Sequence, residues 1–233
     1  VCGTLTSHGG KDFTTICSGL RKAGYRTGSV VMNAALFVPQ SRQRLFVIAV
    51  RNDLRIPDEV VYEGGGGLWH SRPLVNAYKK LPPIDKKNWL WFDLPVPSPR
   101  EKVFADLIED HPTSINWHTQ AETRRLLSMM SPINQDKVEA AKKAGRRMVG
   151  SIYKRTRTDE CGYKVQRAEV RFDEVAGCLR TPTGGSSRQL IMVVDGDCVR
   201  SRLISTREIA RLMGLPDEFI LPKNYNEAYH LMG

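Results

Sequence analysis

The chain has 233 residues, 41% of them hydrophobic and 26% charged, with a net charge of +10 and a sequence pI near 9.5. That balance suits a globular protein and leaves no apolar run near the roughly 18 residues of a bilayer span; residues 1–10 also lack the basic start and apolar stretch of a signal peptide. The five cysteines (Cys2, Cys17, Cys161, Cys178, Cys198) are odd in number and form no C-x-x-C pair, and the histidines show no ligand spacing, so neither disulfides nor a metal are expected and a reducing cytoplasm fits.

Phe13, Ile16, Cys17 and Leu20 recur at helical spacing, with Asp12 as the expected N-cap and Gly24 as the stop. Residues 30–37 are β-prone. Residues 45–50 form a continuous apolar run, the pattern of a strand buried on both faces. Together they read as the last part of an α/β layer, whose strands would expose an edge and an apolar face if the rest of the layer were missing. From residue 57 the four-glycine run 64–67 and six prolines between 73 and 99 predict irregular structure. No Lys-Ser/Thr follows the glycines, which argues against a phosphate loop. Thr119 and Glu122 form a capping box for a helix through Met129, and a second helix is expected from about Gln135 to Ala144. Strands are expected at 150–156 and 163–172, then a hairpin of 191–194 and 198–203 around Asp195-Gly196-Asp197. Ser205 and Glu208 cap a further helix that closes at Gly214 and Pro216.

Charge is concentrated within residues 142–171, which carry ten basic residues against three acids. Such clustering suits a polyanion, and Tyr153 and Tyr163 inside it suit nucleotides. A solvated basic face is the alternative.

The most informative local motif is Pro39-Gln40-Ser41-Arg42-Gln43-Arg44, leading into the apolar run. Arg42 and Arg44 stand two apart at a strand entrance and so project to one side, where two guanidiniums repel unless an anion or developing negative charge lies beside them. With Asn33-Ala34-Ala35 before it and Arg51-Asn52-Asp53 after, this stretch resembles motif VIII of the DNA cytosine-5 methyltransferases. Thr183-Gly184-Gly185-Ser186-Ser187-Arg188 resembles the Gly-Gly loop of that family's target-recognition domain. Residues 203–216 resemble motif IX, and 226–233 the opening of motif X. The four matches follow in order along nearly the whole chain.

The resemblance implies an α/β fold: the C-terminal fragment of a Rossmann-like, S-adenosylmethionine-dependent methyltransferase domain plus an irregular α+β target-recognition domain. Residues 1–56 would close the catalytic domain, 57–200 would recognise DNA, and 201–233 would return to the catalytic domain. Val1 would follow the family's catalytic glutamate by two residues. The Pro-Cys nucleophile and the cofactor's glycine-rich loop would lie elsewhere, so the chain alone is expected to be inactive and to hold no S-adenosylmethionine.

In this family a cysteine adds to C6 of a flipped cytosine, a glutamate contacts N3, and C5 takes the methyl group. By resemblance Arg44 would meet O2, where negative charge develops, and Arg42 would brace the catalytic loop or a phosphate; pairing with upstream acids is the structural alternative. The DNA-facing candidates are Gln40, Arg155, Arg157, Thr181, Thr183, Gly184, Gly185, Ser186, Ser187 and Arg188, although Gln40 reads better as fixing its turn. Arg207, Glu208 and Arg211 are expected to organise the recognition domain. The implied partners are duplex DNA and the remaining catalytic half, in cis or in trans, in a bacterial or phage-encoded cytoplasmic protein with no membrane contact. A non-catalytic DNA-recognition subunit or remnant is the alternative, and an RNA-binding protein a third class that the ordered motifs do not favour.

Overall fold

The computed structural model describes residues 2–179 and 188–232. Among them the chain is mixed α/β, with a three-stranded and a four-stranded sheet. It divides into two compact units, Val1–Leu36 with Arg42–Pro99, and Phe37–Ser41 with Arg100–Gly233.

In the first unit helix α1 (Lys11–Lys22) buries Phe13 and Cys17, one turn apart, while Ile16 is exposed. The expected cap differs: Gly10 is the N-cap, and the Asp12 carboxylate instead takes Ser7 Oγ and His8 Nδ1. Strand β1 (Tyr25–Asn33) begins five residues before the β-prone stretch and pairs antiparallel with β2 (Gln43–Arg51), from Tyr25↔Arg51 to Asn33↔Gln43. The third strand, β3 (Trp89–Leu90), is parallel to β1 on its other side. This places β2 at the sheet edge, where it is not buried on both faces: Phe46 and Val47 are 47% and 37% exposed. The apolar run thus reports an edge strand with an open face.

The proline-rich stretch holds more order than its composition predicts. It carries α2 (Arg72–Lys79) and α3 (Pro83–Lys87), each with proline at its first turn, where the missing N–H costs nothing. Trp89 and Trp91 join Phe13, Cys17, Leu74 and Leu81 in one core, with the Phe13 and Trp89 rings edge to face at 5.8 Å. For this reason the compact division falls at Pro99 and not near residue 57. The glycine run serves the same core: a Cβ on Gly65 would lie 2.6 Å from the Trp91 ring.

In the second unit the sheet order is β5-β4-β6-β7, all antiparallel, from β4 (Met148–Thr158), β5 (Lys164–Arg171), β6 (Leu190–Asp195) and β7 (Cys198–Leu203). Strand β6 alternates between two cores. Leu190, Met192 and Val194 face Leu126 and Met130, from α4 (Gln120–Ser128) and just beyond it, and Val138 of α5 (Pro132–Lys143). Ile191 and Val193 face Phe104, Leu107, Ile209 and Leu212 of α6 (Thr206–Leu212), and Tyr229 of α7 (Tyr225–Met232). Residues after 200 therefore share the core of residues 100–179. Both capping boxes form as expected, at Thr119 with Glu122 and at Ser205 with Glu208.

Candidate nucleic-acid interface

In the first unit the loop between β1 and β2 is set by Asn33, whose side-chain carbonyl accepts from Arg42 N at 2.8 Å and Ala35 N at 3.2 Å. This local bonding of an Asn to its own turn fixes where Arg42 leaves the loop. Arg44 stands opposite Met32, and its Nη1 donates to Gln43 O at 2.9 Å. Gln43 is exposed and both flanking arginines are half-buried, the alternation expected of a strand start.

Gln40, a DNA-facing candidate that reads better as fixing its turn, is buried. It belongs to the second unit, is 1% exposed, and turns its Nε2 towards Leu212 O at 3.5 Å and Met213 Sδ at 3.7 Å. Around it the backbone is tied to Ala176 by Ser41 N→Ala176 O and Ala176 N→Pro39 O, both 2.8 Å. Gln40 holds a turn.

The sheet of the second unit carries a cleft of about 570 Å³ lined by Lys154, Arg155, Arg157, Arg171 and Arg188, with Tyr153, Gly177, Gln189 and Tyr229 and, among the described residues, a single carboxylate, Glu169. The register explains the grouping. Tyr153 stands opposite Glu169, Arg155 opposite Arg167, and Ser151 opposite Arg171, so alternate residues of β4 and β5 share one face. Nearer the middle of the sheet that face is apolar, where Val149 enters the core, and β4 becomes exposed from Lys154 outward. Arg155 and Arg167, like charges directly opposite, disfavour the pairing. Glu169 offsets this, pairing with Arg155 at 3.4 Å and accepting from Arg157 Nε at 2.7 Å.

Arg155 also lies over the Tyr153 ring at 5.6 Å. Arg188 donates to Asn226 Oδ1 and covers the Tyr225 ring at 5.5 Å. Burial raises the Tyr229 phenol above its ordinary range, while the Gln189 N–H it accepts and the nearby Arg188 oppose the rise.

The cleft brings together three sequence candidates, Arg155, Arg157 and Arg188. Thr181, Thr183, Gly184, Gly185, Ser186 and Ser187 lie outside the described residues. Three of the ten basic residues of the run are paired elsewhere: Lys142 with Glu139, Arg146 with Glu174 and Arg147 with Asp110. Gly177, Gln189 and Tyr229 had no signal in the sequence. Arg207, Glu208 and Arg211 are structural: Arg207 Nη2 donates to Phe219 O at 3.0 Å, Arg211 grips Asp217 at 2.8 Å, and Glu208 pairs with the fully buried Arg202.

No group of three or more metal-ligating side chains occurs among the described residues, nor any helix long and apolar enough to cross a membrane. Burial, with Asp85 nearby, pushes the Cys17 thiol up to about 12, which leaves it unsuited to act as a nucleophile.

The family model described as C-5 cytosine-specific DNA methylase matches residues 1–233. The chain belongs to this family. It is also similar to the orphan methyltransferase M.SPBetaI of Bacillus phage SPbeta and the putative type II methyltransferase M.BsuMIIP of Bacillus subtilis (strain 168), each 25% identical over 141 residues. That region is 59% of this chain and 31% of each relative's length. As a C-5 cytosine-specific DNA methylase family member, the chain presents an arginine pair in one unit and a cationic cleft in the other.

Proposed function

We propose that this chain supplies DNA recognition and the arginine pair for methylation of C5 of a flipped cytosine in duplex DNA, with S-adenosylmethionine as methyl donor. The observation that carries this is the cationic cleft in a chain whose whole length matches the family. Arg155, Arg157, Arg171 and Arg188 hold the phosphate backbone in register, and base reading falls to Thr181, Thr183, Gly184, Gly185, Ser186 and Ser187. Arg44 stabilises charge on the cytosine O2, and Arg42 braces the catalytic loop or a phosphate. No residue here is assigned to the cofactor. Its sulfonium is a cation, and a cleft with five basic side chains and one carboxylate does not suit it. None of the five cysteines follows a proline, so the family's nucleophile is not among these residues and the chain alone transfers no methyl group. Residues 57–200 serve recognition although they span both compact units, and residues 1–56 and 201–233 act with the catalytic domain, the latter while sharing a core with residues 104–193.

The test is duplex binding at several salt concentrations, together with methyl transfer when a relative's Pro-Cys half is supplied. Binding should weaken by about 0.9 log unit per log unit of salt for each phosphate held. Arg44→Ala should then slow transfer by about 100- to 1000-fold, the usual cost of one such donor, with little loss of DNA affinity. Absence of duplex binding, or transfer by the chain alone, would overturn the proposal. Binding with no transfer in any complemented mixture would favour a non-catalytic recognition subunit.

A further inference from the structure

Two polar atoms at the cleft are buried and have no partner among the described residues: the Tyr153 hydroxyl and Arg188 Nε. An unpaired buried polar group is costly, so each such group calls for an explanation. Both side chains are otherwise well held. Tyr153 lies under the Arg155 guanidinium, and its hydroxyl touches the backbone at Gly177 so closely that a Cβ there would fall 1.3 Å from it. Arg188 lines the cleft and is fixed at its far end by Asn226 and Tyr225, with its Nε unengaged among the described residues. Both can donate, so what they lack is an acceptor. The surroundings select its charge. Glu169, the one carboxylate lining the cleft among the described residues, is already engaged by Arg155 and Arg157; Arg171 pairs with Asp173, and Lys154 and Arg188 add further positive charge.

We propose that this end of the cleft is a receptor for one backbone phosphate of duplex DNA, whose non-bridging oxygens accept from Tyr153 Oη and Arg188 Nε. The proposal deepens the DNA-recognition function above and rests on it. Tyr153 is thus a positioning residue: the bond forms only when the duplex sits at one depth in the cleft. Gly177 is glycine because the hydroxyl occupies the space its side chain would need.

Fluorescence anisotropy of the 233-residue chain on a mixed-sequence duplex tests this, beside the same duplex with alternating neutral methylphosphonate linkages. Tyr153→Phe should lower affinity about tenfold, the scale of a hydrogen bond to a charged group, and leave the salt slope unchanged. Arg188→Met should lower affinity and reduce the slope by about 0.9. Both losses should shrink on the methylphosphonate duplex. Because the hydroxyl has no partner among the described residues, Tyr153→Phe should melt at or above the wild-type temperature. Wild-type affinity in Tyr153→Phe would overturn the receptor while leaving DNA recognition standing, and so would a lowered melting temperature. Failure of the wild type to bind either duplex would overturn both. Gly177→Ala, which displaces the hydroxyl without removing it, should reproduce the loss of affinity seen in Tyr153→Phe.

Discussion

Arg202 lies on β7 with no exposed surface, and its guanidinium meets both carboxylate oxygens of Glu208, at 2.8 and 2.5 Å. Glu109 O accepts a further bond from it at 2.7 Å, and the Trp117 ring lies 4.6 Å from the guanidinium carbon. Glu208 is itself engaged by the N–H groups of Glu109 and Ser205, both at 2.7 Å. A buried charge stripped of its partner costs about 3–5 kcal/mol, so Arg202→Met should destabilise the second unit by that amount in urea unfolding. The double variant Arg202→Met/Glu208→Leu should recover part of the loss, because it removes the stranded carboxylate. No recovery would mean that the backbone bonds to Glu208 outweigh the ion pair. The sequence points to Glu208 through its capping box with Ser205, a spacing of three residues. Arg202 is invisible there, because its partner is set by how β7 runs into α6.

The two apolar runs show what sequence patterns convey about elements. Residues 45–50 have the composition of a strand buried on both faces, yet β2 is an edge strand with Phe46 and Val47 open. Residues 190–194 carry the same pattern and are wholly buried, because β6 lies between β4 and β7 with a core on each side. Composition reports that a strand has two apolar faces; only neighbours in space determine whether both are covered. Ile191→Ala should therefore cost about 2–5 kcal/mol. Val47→Ala should change stability by no more than about 0.5 kcal/mol, as surface substitutions do. Equal losses in chemical denaturation would contradict the edge placement. Caps and hairpins were legible because their chemistry lies within four residues, as at Thr119 with Glu122 and at Asp195-Gly196-Asp197. The short strand β3 was not, since Trp89 is held by Phe13 and Tyr78 and by no local propensity. The cleft was half legible: Arg155, Arg157 and Arg188 stood out by charge, whereas the place of Tyr153 depends on register and the close approach of Gly177.

Across the molecule, the shifted groups that titrate below neutral pH act in one direction. Burial holds the His118 imidazole below its ordinary range, so an unfolded chain takes up that proton more readily than the folded one. Its contribution is complete above about pH 6.5 and is lost as pH falls towards the lower folded value. Hydrogen bonds hold three carboxylates low as well: Asp12 by Ser7 and His8, Glu122 by the Thr119 backbone and side chain, and Asp217 by Arg211. What they contribute is present above the ordinary carboxylate range and disappears as pH falls through their folded values. Urea midpoints should thus decline in two stages on acidification, one below about pH 6.5 and one in the carboxylate range. His118→Gln should flatten the first stage and leave the second. An unchanged first stage in that variant would exclude His118 as its source.

The short passage Phe37–Ser41 belongs to the second unit although the chain on both sides of it belongs to the first. Its bonds run to Ala176, the neighbour of Gly177, and Ser41 borders the cleft. For anyone exchanging the second unit between relatives, the transplant is consequently discontinuous. A graft of residues 100–232 alone would meet a foreign strip of backbone at 39–41, one not selected to fit Ala176 or to bury an amide beneath Leu212. Inheritance faces the same restriction: a recombination event that swaps the second unit as one continuous block leaves five of its residues behind.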